Sequence, residues 1–570
     1  MKKLWILIVA MFVVAGGIIV ACLLIQKGTG SSNSLEVITT DYIDASYSTE
    51  NATYITATDG EISIDGGGAN NSADIITISS KGTYVLSGNF TSSINIDTTR
   101  DAIVYLVLDN ANITSKTGAA IYASKVETLV IISTEGSENT ISDIESYTAD
   151  YGTEDVDATI YSKGNLAFAG SGTIIIDGYH NHAVHGKDWL QVLSGTLDIA
   201  STNDGLVGKD YVAIQGGEVI INSNSDGIKS TEDSDANLGY IAIDGGSITI
   251  DATGDAINSI SRISITGGEF SLTTGSGASQ TSSSSQSAKG LKAENYIIIT
   301  DGDFTLDTSD DAIHSNSDIA IKAGTFSIKT GDDAIHADNS IAIDDGAIDI
   351  TQSHEGIESA NITINGGTIS IDADDDGLNA SGGSDDSDAN SGPGMNNSSS
   401  SDCLLTINGG NIYVNSSGDG LDANGNIVMT GGYIVVDGPT TNGDGAIDYD
   451  GTFEISGGTL IASGSSGMLM TPSSSSSQSI ISIVFSQSQA ANTLFELTDA
   501  SGNTILSVTP SKTYASIVVS SPDLKSGASY TAIAGGEEIT TLTLSNTITS
   551  YGSSGGMTGP GGGMRQGGRR

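Results

Sequence analysis

Positive charge is scarce in this sequence. Lysine and arginine total 21 against 69 aspartates and glutamates, for a net charge of −48. Such an excess of carboxylate repels phosphate backbones, which excludes nucleic acid as a partner and favours cations or ligands bound through cations. Cysteine is nearly absent: Cys22 and Cys403 are the only two, and Cys22 lies in an apolar segment, so no disulfide framework holds the fold. Proline occurs 6 times against 73 glycines. With Ile prominent and Thr abundant, that balance suits many short strands joined by tight turns, and long helices are not expected after residue 30. A length of 570 residues fits several ordinary domains or one continuous solenoid.

Lys2 and Lys3 precede an apolar run of 22 residues, Leu4 to Ile25. That run is long enough to span a bilayer, and the basic flank places the N-terminus inside a bacterial cytoplasm. Residues 1–27 therefore read as a membrane anchor. The alternative is a lipoprotein-type signal peptide, because Ile19-Val20-Ala21-Cys22 resembles a lipobox in which Cys22 is the lipidation site. Both readings leave the protein at the cell surface, extracytoplasmic and tethered to the cytoplasmic membrane. Residues 28–53 are polar and aperiodic and read as a spacer.

An internal repeat dominates the rest. An acid-(Gly/Ala)-(Ile/Leu) turn recurs at Asp204, Asp226, Asp255, Asp311, Asp333, Glu355, Asp376, Asp419 and, less strictly, Asp444, with spacings of 22 from 204 to 226, 311 to 333 and 333 to 355. Gly-Gly corners such as Gly216-Gly217, Gly245-Gly246 and Gly431-Gly432 separate short Ile-x-Ile strands. One coil is thus about 22 residues. Coils of this kind predict an all-β fold over residues 54–470, a right-handed parallel β-helix, because parallel crossovers are overwhelmingly right-handed. The stretch from Ile55 to about Leu193 is spaced irregularly and reads as the start of the solenoid. Hydrophilic insertions near 274–288 and 381–402 read as loops thrown out from a coil. Longer alternating strands over 479–547 predict a small β-sandwich-like cap, followed by a disordered Gly/Met/Arg tail, 548–570.

Stacking the turns brings their acids about 4.8 Å apart. Asp310, Asp311, Asp332, Asp333, Glu355, Asp374, Asp375 and Asp376 then form a column, in which neighbouring unit charges repel by about 3.5 kcal/mol at an effective dielectric of ~20. Basic residues look too few nearby to neutralise it. Calcium is the expected cofactor, since it gathers carboxylate oxygens at about 2.3–2.6 Å. Hydrated turn carboxylates are the plainer reading. Three residues after each turn acid runs a polar file, including Lys229, Asn258, His314, His336, Glu358, Asn379 and Asp422. Strand alternation points it away from the core, so His314, His336, Glu358 and Asn379 are candidate sugar-binding residues, or simply a solvated face. Zinc binding by His180, His182 and His185 is disfavoured by the lack of cysteine or helical spacing. Acids spread along a column single out no pair for glycoside hydrolysis. Eliminative cleavage of acidic sugars would need a base, for which Lys289 and Lys292 are the candidates.

The turns, the corners, the early Gly82-Thr83-Tyr84 and Ser171-Gly172-Thr173 strands and the phrase Tyr514-Ala515-Ser516-Ile517-Val518-Val519 resemble the bacterial surface family of carbohydrate-binding β-helix proteins that bind cellulose and acidic sugars such as polygalacturonate. The resemblance implies a fold with bound calcium, related in shape to pectate lyases but without established lyase activity. The expectation is a non-catalytic, calcium-binding, polysaccharide-binding surface protein, monomeric. A calcium-dependent polysaccharide lyase and a structural adhesin or spacer are the alternatives.

Overall fold

In the computed structural model the described residues are 35–279, 287–382 and 403–553. Cys22, the N-terminal apolar run, the centres of both expected loop insertions and residues 554–570 lie outside them; the tail expected to be disordered from 548 instead begins as a strand, Ile548–Tyr551, paired in parallel with Ile480–Gln489. Residues 1–35 separate from 36–570 as a unit of their own, and the second unit holds the whole β fold.

Among the described residues there is no helix. Each coil of the repeat contributes three strands, as in Leu206–Gly208, Tyr211–Ile214 and Glu218–Ser223. Every one pairs in parallel with its equivalent in the next coil: Leu206 opposite Ile228, Val212 opposite Ile241, Val219 opposite Ile248. The chain is a right-handed parallel β-helix, with crossovers of the hand that parallel connections almost always take. Because alternate side chains face inward, like residues stack on like. Leu206, Ile228, Ile257, Leu291, Ile313, Ile335, Ile357, Leu378 and Leu421 form one fully buried file. Phe270, Phe304 and Phe326 form another, with parallel rings 4.5 and 4.7 Å apart.

The corner glycines have a steric cause. Gly217 has φ of 95°, and a Cβ there would meet the Gly195 carbonyl oxygen at 2.6 Å. In coils where the first corner glycine is replaced, as in Asp301-Gly302 and Ala323-Gly324, the second is kept, again at positive φ. A left-handed backbone pressed against the coil below admits only glycine.

The stack begins earlier than the repeat. Gly82–Phe90 pairs in parallel with Ile103–Thr114, which pairs with Thr128–Ser133. Residues 82–193 thus form coils of the same kind, without the acidic turn. A hairpin, Thr53–Thr58 with Glu61–Asp65, closes this end. At the other end Tyr514–Ser520 lies antiparallel to the last coil strand, Thr459–Gly464, and to Ile480–Gln489. A four-stranded antiparallel sheet of Phe495–Asp499, Thr504–Val508, Ser529–Ala534 and Glu537–Thr543 packs there, around its own core of Phe495, Tyr514, Ile517 and Tyr530. Exhausting the parallel edge in antiparallel strands protects it from pairing with another chain.

The expected spacer differs in its described part. Glu36 to Ala45 lies along the side of the solenoid: the Glu36 carbonyl accepts from Tyr296 Oη at 2.9 Å, Ile38 N–H donates to Ser264 Oγ at 3.2 Å, and Tyr42 Oη donates to Asp244 at 2.9 Å. Ile43 N–H donates to Gln191 Oε1 at 3.0 Å, and the Gln191 amide donates to the Asp41 carbonyl at 3.1 Å. Ile43 and Ala45 pack on an outer apolar cluster with Val107, Val130 and Trp189. Two apolar residues and a run of backbone hydrogen-bonding groups, invisible as periodicity, fasten a segment that composition alone reads as loose.

Candidate functional site

The turn acids do form a column, and its first property is structural. In most coils one carboxylate oxygen of the acid accepts the backbone N–H of the equivalent residue in the next coil: Asp226 N–H to Asp204 at 2.9 Å, Asp255 N–H to Asp226 at 2.9 Å, Asp333 N–H to Asp311 at 3.1 Å, Glu355 N–H to Asp333 at 3.2 Å and Asp419 N–H to Asp376 at 2.6 Å. The acid therefore stitches coil to coil at a position where the backbone turns and has no strand partner. The second oxygen is left for other partners.

Those partners divide the column in two. In the middle coils they are cations and amides of the same protein. Lys229 Nζ lies 2.9 Å from Asp226 and 3.5 Å from Asp204, and Asn258 donates to both Asp226 and Asp255 at 3.0 Å. Lys289, in register with the turn acids, reaches Asp310 at 2.9 Å and Asp311 at 2.5 Å. Burial alone would lower the Lys289 ammonium's affinity for its proton, yet Asp311 and Asp310 raise it well above its ordinary range. Asp311 is fully buried; against that burial, Lys289 and His314 hold its carboxyl below the usual range. His314 Nδ1 is 2.8 Å from Asp311, His336 Nδ1 is 3.2 Å from Asp333, and Asn379 donates to Glu355 at 2.7 Å.

Two expectations change here. Basic residues are not too few: a lysine occupies the column itself. The polar file, expected to face solvent, is turned inward onto the acids. His314, His336 and Asn379 are buried, and Glu358 is partly so. Strand alternation directs these side chains away from the apolar core, but the neighbouring acids claim them before water does. They hold the column together and offer no open surface to a sugar. Lys289, pinned as a protonated ammonium, has no lone pair for a base, and Lys292 points at Ser287 Oγ (3.2 Å) and Asp255 (3.5 Å).

The last coils are different. Asp376, Asp419, Asp422 and Asp448 are half-buried, and no ion pair joins them to a Lys, Arg or His among the described residues. Ligand oxygens of Asp419, Asp422 and Asp448 lie within 4.8 Å of one another. Burial first, then mutual repulsion, raises Asp376 to about 6, Asp419 to about 7 and Asp422 to about 8. Oxygens at this spacing fit a calcium ion, whose bonds of about 2.3–2.6 Å let two ligands stand up to about 5 Å apart across it. Of the expected metal residues, Asp310, Asp311 and Asp332 also cluster, but the Lys289 ammonium is already on two of them. Asp374 and Asp375 are exposed at the rim. Glu355 is raised to about 9, by burial and by Glu358 and Asp333, so at neutral pH it is a neutral acid. Asp419, Asp422 and Asp448, not singled out as ligands from sequence, fit best.

Elsewhere, the third strand of the coils between Ser247 and Thr330 presents an open polar face. Thr249, Ser271, Thr305 and Ser327 stand in register on successive coils, flanked by Ser247, Glu269, Asp303 and Thr325, along a shallow groove of about 380 Å³.

Residues 72–334, just under half of the chain, match the family model described as carbohydrate-binding domain-containing protein. A carbohydrate-binding domain-containing protein of Acetivibrio thermocellus is 29% identical over 126 residues, 22% of this chain and 44% of that relative, so less than half the relative's length is matched. The solved structure of the polysaccharide lyase-like protein from C. thermocellum, in a gadolinium derivative, aligns at 27% identity over 44% of this chain and 96% of that one, with a TM-score of 0.41. The resemblance carried by the turns and corners is borne out: over residues 72–334 this β-helix has the pattern of the carbohydrate-binding domain family.

Proposed function

We propose that this protein binds polysaccharide without cleaving it, at the outer surface of a bacterial cell, and that calcium bound by Asp419, Asp422 and Asp448 stiffens the last coils. The match of residues 72–334 to a carbohydrate-binding family is the observation that supports this most. The face built from Thr249, Ser271, Thr305 and Ser327 lies within that span. Hydroxyls repeated at the coil spacing of about 4.8 Å, with Glu269 and Asp303 beside the two middle ones, suit the hydroxyl-rich edge of an extended glycan such as cellulose. An acidic glycan such as polygalacturonate would need calcium to bridge it to a chain of this charge.

The test is binding of the protein to cellulose and to polygalacturonate, with calcium and with chelator, while the same mixtures are assayed for unsaturated products. Binding without product is expected. Product would make the protein a lyase, and absence of both would favour a structural rod. Thr249→Tyr with Ser327→Tyr, which fills the groove without touching the core, is expected to weaken binding tenfold or more.

A further inference from the structure

The file of turn residues changes character at one coil. His182 stands in register one coil before the acids that begin at Asp204, because Val184 pairs with Leu206 and His185 with Val207. Asp157 directly precedes Ala158, the strand partner of His182. Two imidazoles and a carboxylate therefore meet here, beside an open cavity.

We infer that Asp157, His182 and His185 form a binding site for a divalent transition-metal ion of the zinc type. Their ligand atoms lie within 4.8 Å of one another. Asp157 Oδ1 is 2.7 Å from His185 Nδ1, and Asp157 Oδ2 is 3.9 Å from His182 Nε2. Two ligands sharing a tetrahedral zinc, with bonds of about 2.0–2.1 Å, stand roughly 3.3 Å apart, a value these two distances bracket. Small side-chain shifts admit the ion. Its entry between Asp157 and His185 moves the ring proton of His185 from Nδ1 to Nε2, so the imidazole ligates in its neutral form.

The surroundings have the features that orient a metal-bound histidine. The other nitrogen of His182, Nδ1, is buried without an aligned hydrogen-bond partner and faces Asp204 Oδ2 at 3.3 Å. That carboxylate is placed to accept a hydrogen bond from Nδ1–H when Nε2 binds metal. The Tyr161 ring meets His185 edge-on with centroids 5.4 Å apart, fixing the second imidazole. Of the lysines around the cavity, Lys229 is held by Asp226 and Asp204 and Lys209 by Glu232, while Lys187 acts on Asp157 by charge alone. A cavity of about 410 Å³, lined by His182, His185, Lys187, Asn203 and Lys209 among others, opens on the pair. It gives an entry path and room for water or an anionic ligand group at the remaining coordination positions. Calcium, which takes oxygen ligands, has no preference for such a set, whereas imidazole suits zinc, nickel and copper.

His180 belongs elsewhere: its Nδ1 is 2.8 Å from the Glu145 carbonyl oxygen and its ring stacks on Tyr147 at 4.0 Å. It therefore serves as the control.

The experiment is equilibrium dialysis of the full chain against Zn²⁺ with calcium in excess, followed by the visible absorption of the Co²⁺ form. One zinc per chain that survives the calcium is expected. His182→Ala and His185→Ala should each weaken it tenfold or more, Asp204→Asn by roughly 10–100-fold, and His180→Ala not at all. Far-UV circular dichroism of the metal-free variants checks that each is folded. Should one fail to fold, X-ray absorption of the zinc-loaded parent decides, because two imidazole ligands are expected. Zinc displaced by calcium, zinc retained in the folded double variant His182→Ala/His185→Ala, or a shell of oxygen alone would each overturn the site.

Discussion

The coils from Asp204 to Glu355 and those from Asp376 to Asp448 repeat the same turn and solve its electrostatic problem differently. The middle coils carry their own counter-charges and hydrogen-bond donors, in Lys229, Lys289, His314 and His336. The last coils carry only carboxylates, which burial and mutual repulsion push toward the protonated state; Asp333 and Glu355, at the end of the middle coils, are raised in the same way and mark the transition. The repeat itself fixes backbone geometry through the carboxylate-to-N–H stitch. What occupies the second carboxylate oxygen is free to vary, and that is where a solenoid can acquire a metal, an ion pair or nothing.

The sharpest way to break this contrast is to remove the lysine. Lys289→Ala leaves the buried Asp311 beside the partly buried Asp310 without their shared ammonium, and loss of one partner of a buried ion pair costs about 3–5 kcal/mol. Urea unfolding should register that loss, and added calcium should recover part of it, since the middle coils would then resemble the last ones. Next in size is the effect of chelation. Stripping calcium should lower stability by about 2.7 kcal/mol relative to a concentration 100 times the dissociation constant. Hydrogen exchange should quicken in Asn411–Ser416 and Tyr433–Asp437 but not in Thr325–Thr330. Equal acceleration throughout would erase the distinction between the two regions.

A pH series sharpens it further. Asp376, Asp419 and Asp422 have folded values of about 6, 7 and 8 against an ordinary 3.8, and Glu355 one of about 9 against 4.5, so between those limits the native state binds more protons than the unfolded one. Stability must then fall as pH rises from about 4 to about 8. Without calcium, thermal melting should be lower at pH 8 than at pH 5, and calcium should reduce the difference. The smallest effect is that of Asp422→Asn, which relieves repulsion and should stabilise the metal-free protein by about 1 kcal/mol or less, while weakening calcium uptake measured by dialysis.

The architecture is legible in the sequence because its determinants are local and repeated: a turn acid that stitches, a glycine that alone tolerates positive φ, and Ile-x-Ile strands that alternate. The coil at Lys289 escapes that pattern because its turn residue is not an acid. The interval from 255 to 311 looks like an insertion, yet it contains a full coil whose turn residue is a lysine, together with a short loop. The inward orientation of His314, His336 and Asn379 escapes for another reason. Alternation says which side chains leave the apolar core, but not whether a buried carboxylate waits on the other side. Asp157 meets His182 and His185 only through strand register, which no spacing within one coil reveals.

The segment from Glu36 to Ala45 bears on mechanics. Its contacts run from Tyr296 back through Ser264 and Asp244 to Gln191, so the chain meets the rod partway along and travels toward its beginning before the first strand. Tension applied at Glu36 is therefore delivered to the flank of several coils at once. To reach the first coil it must slide this segment along the rod, breaking its bonds together in shear, before it can peel strands one at a time.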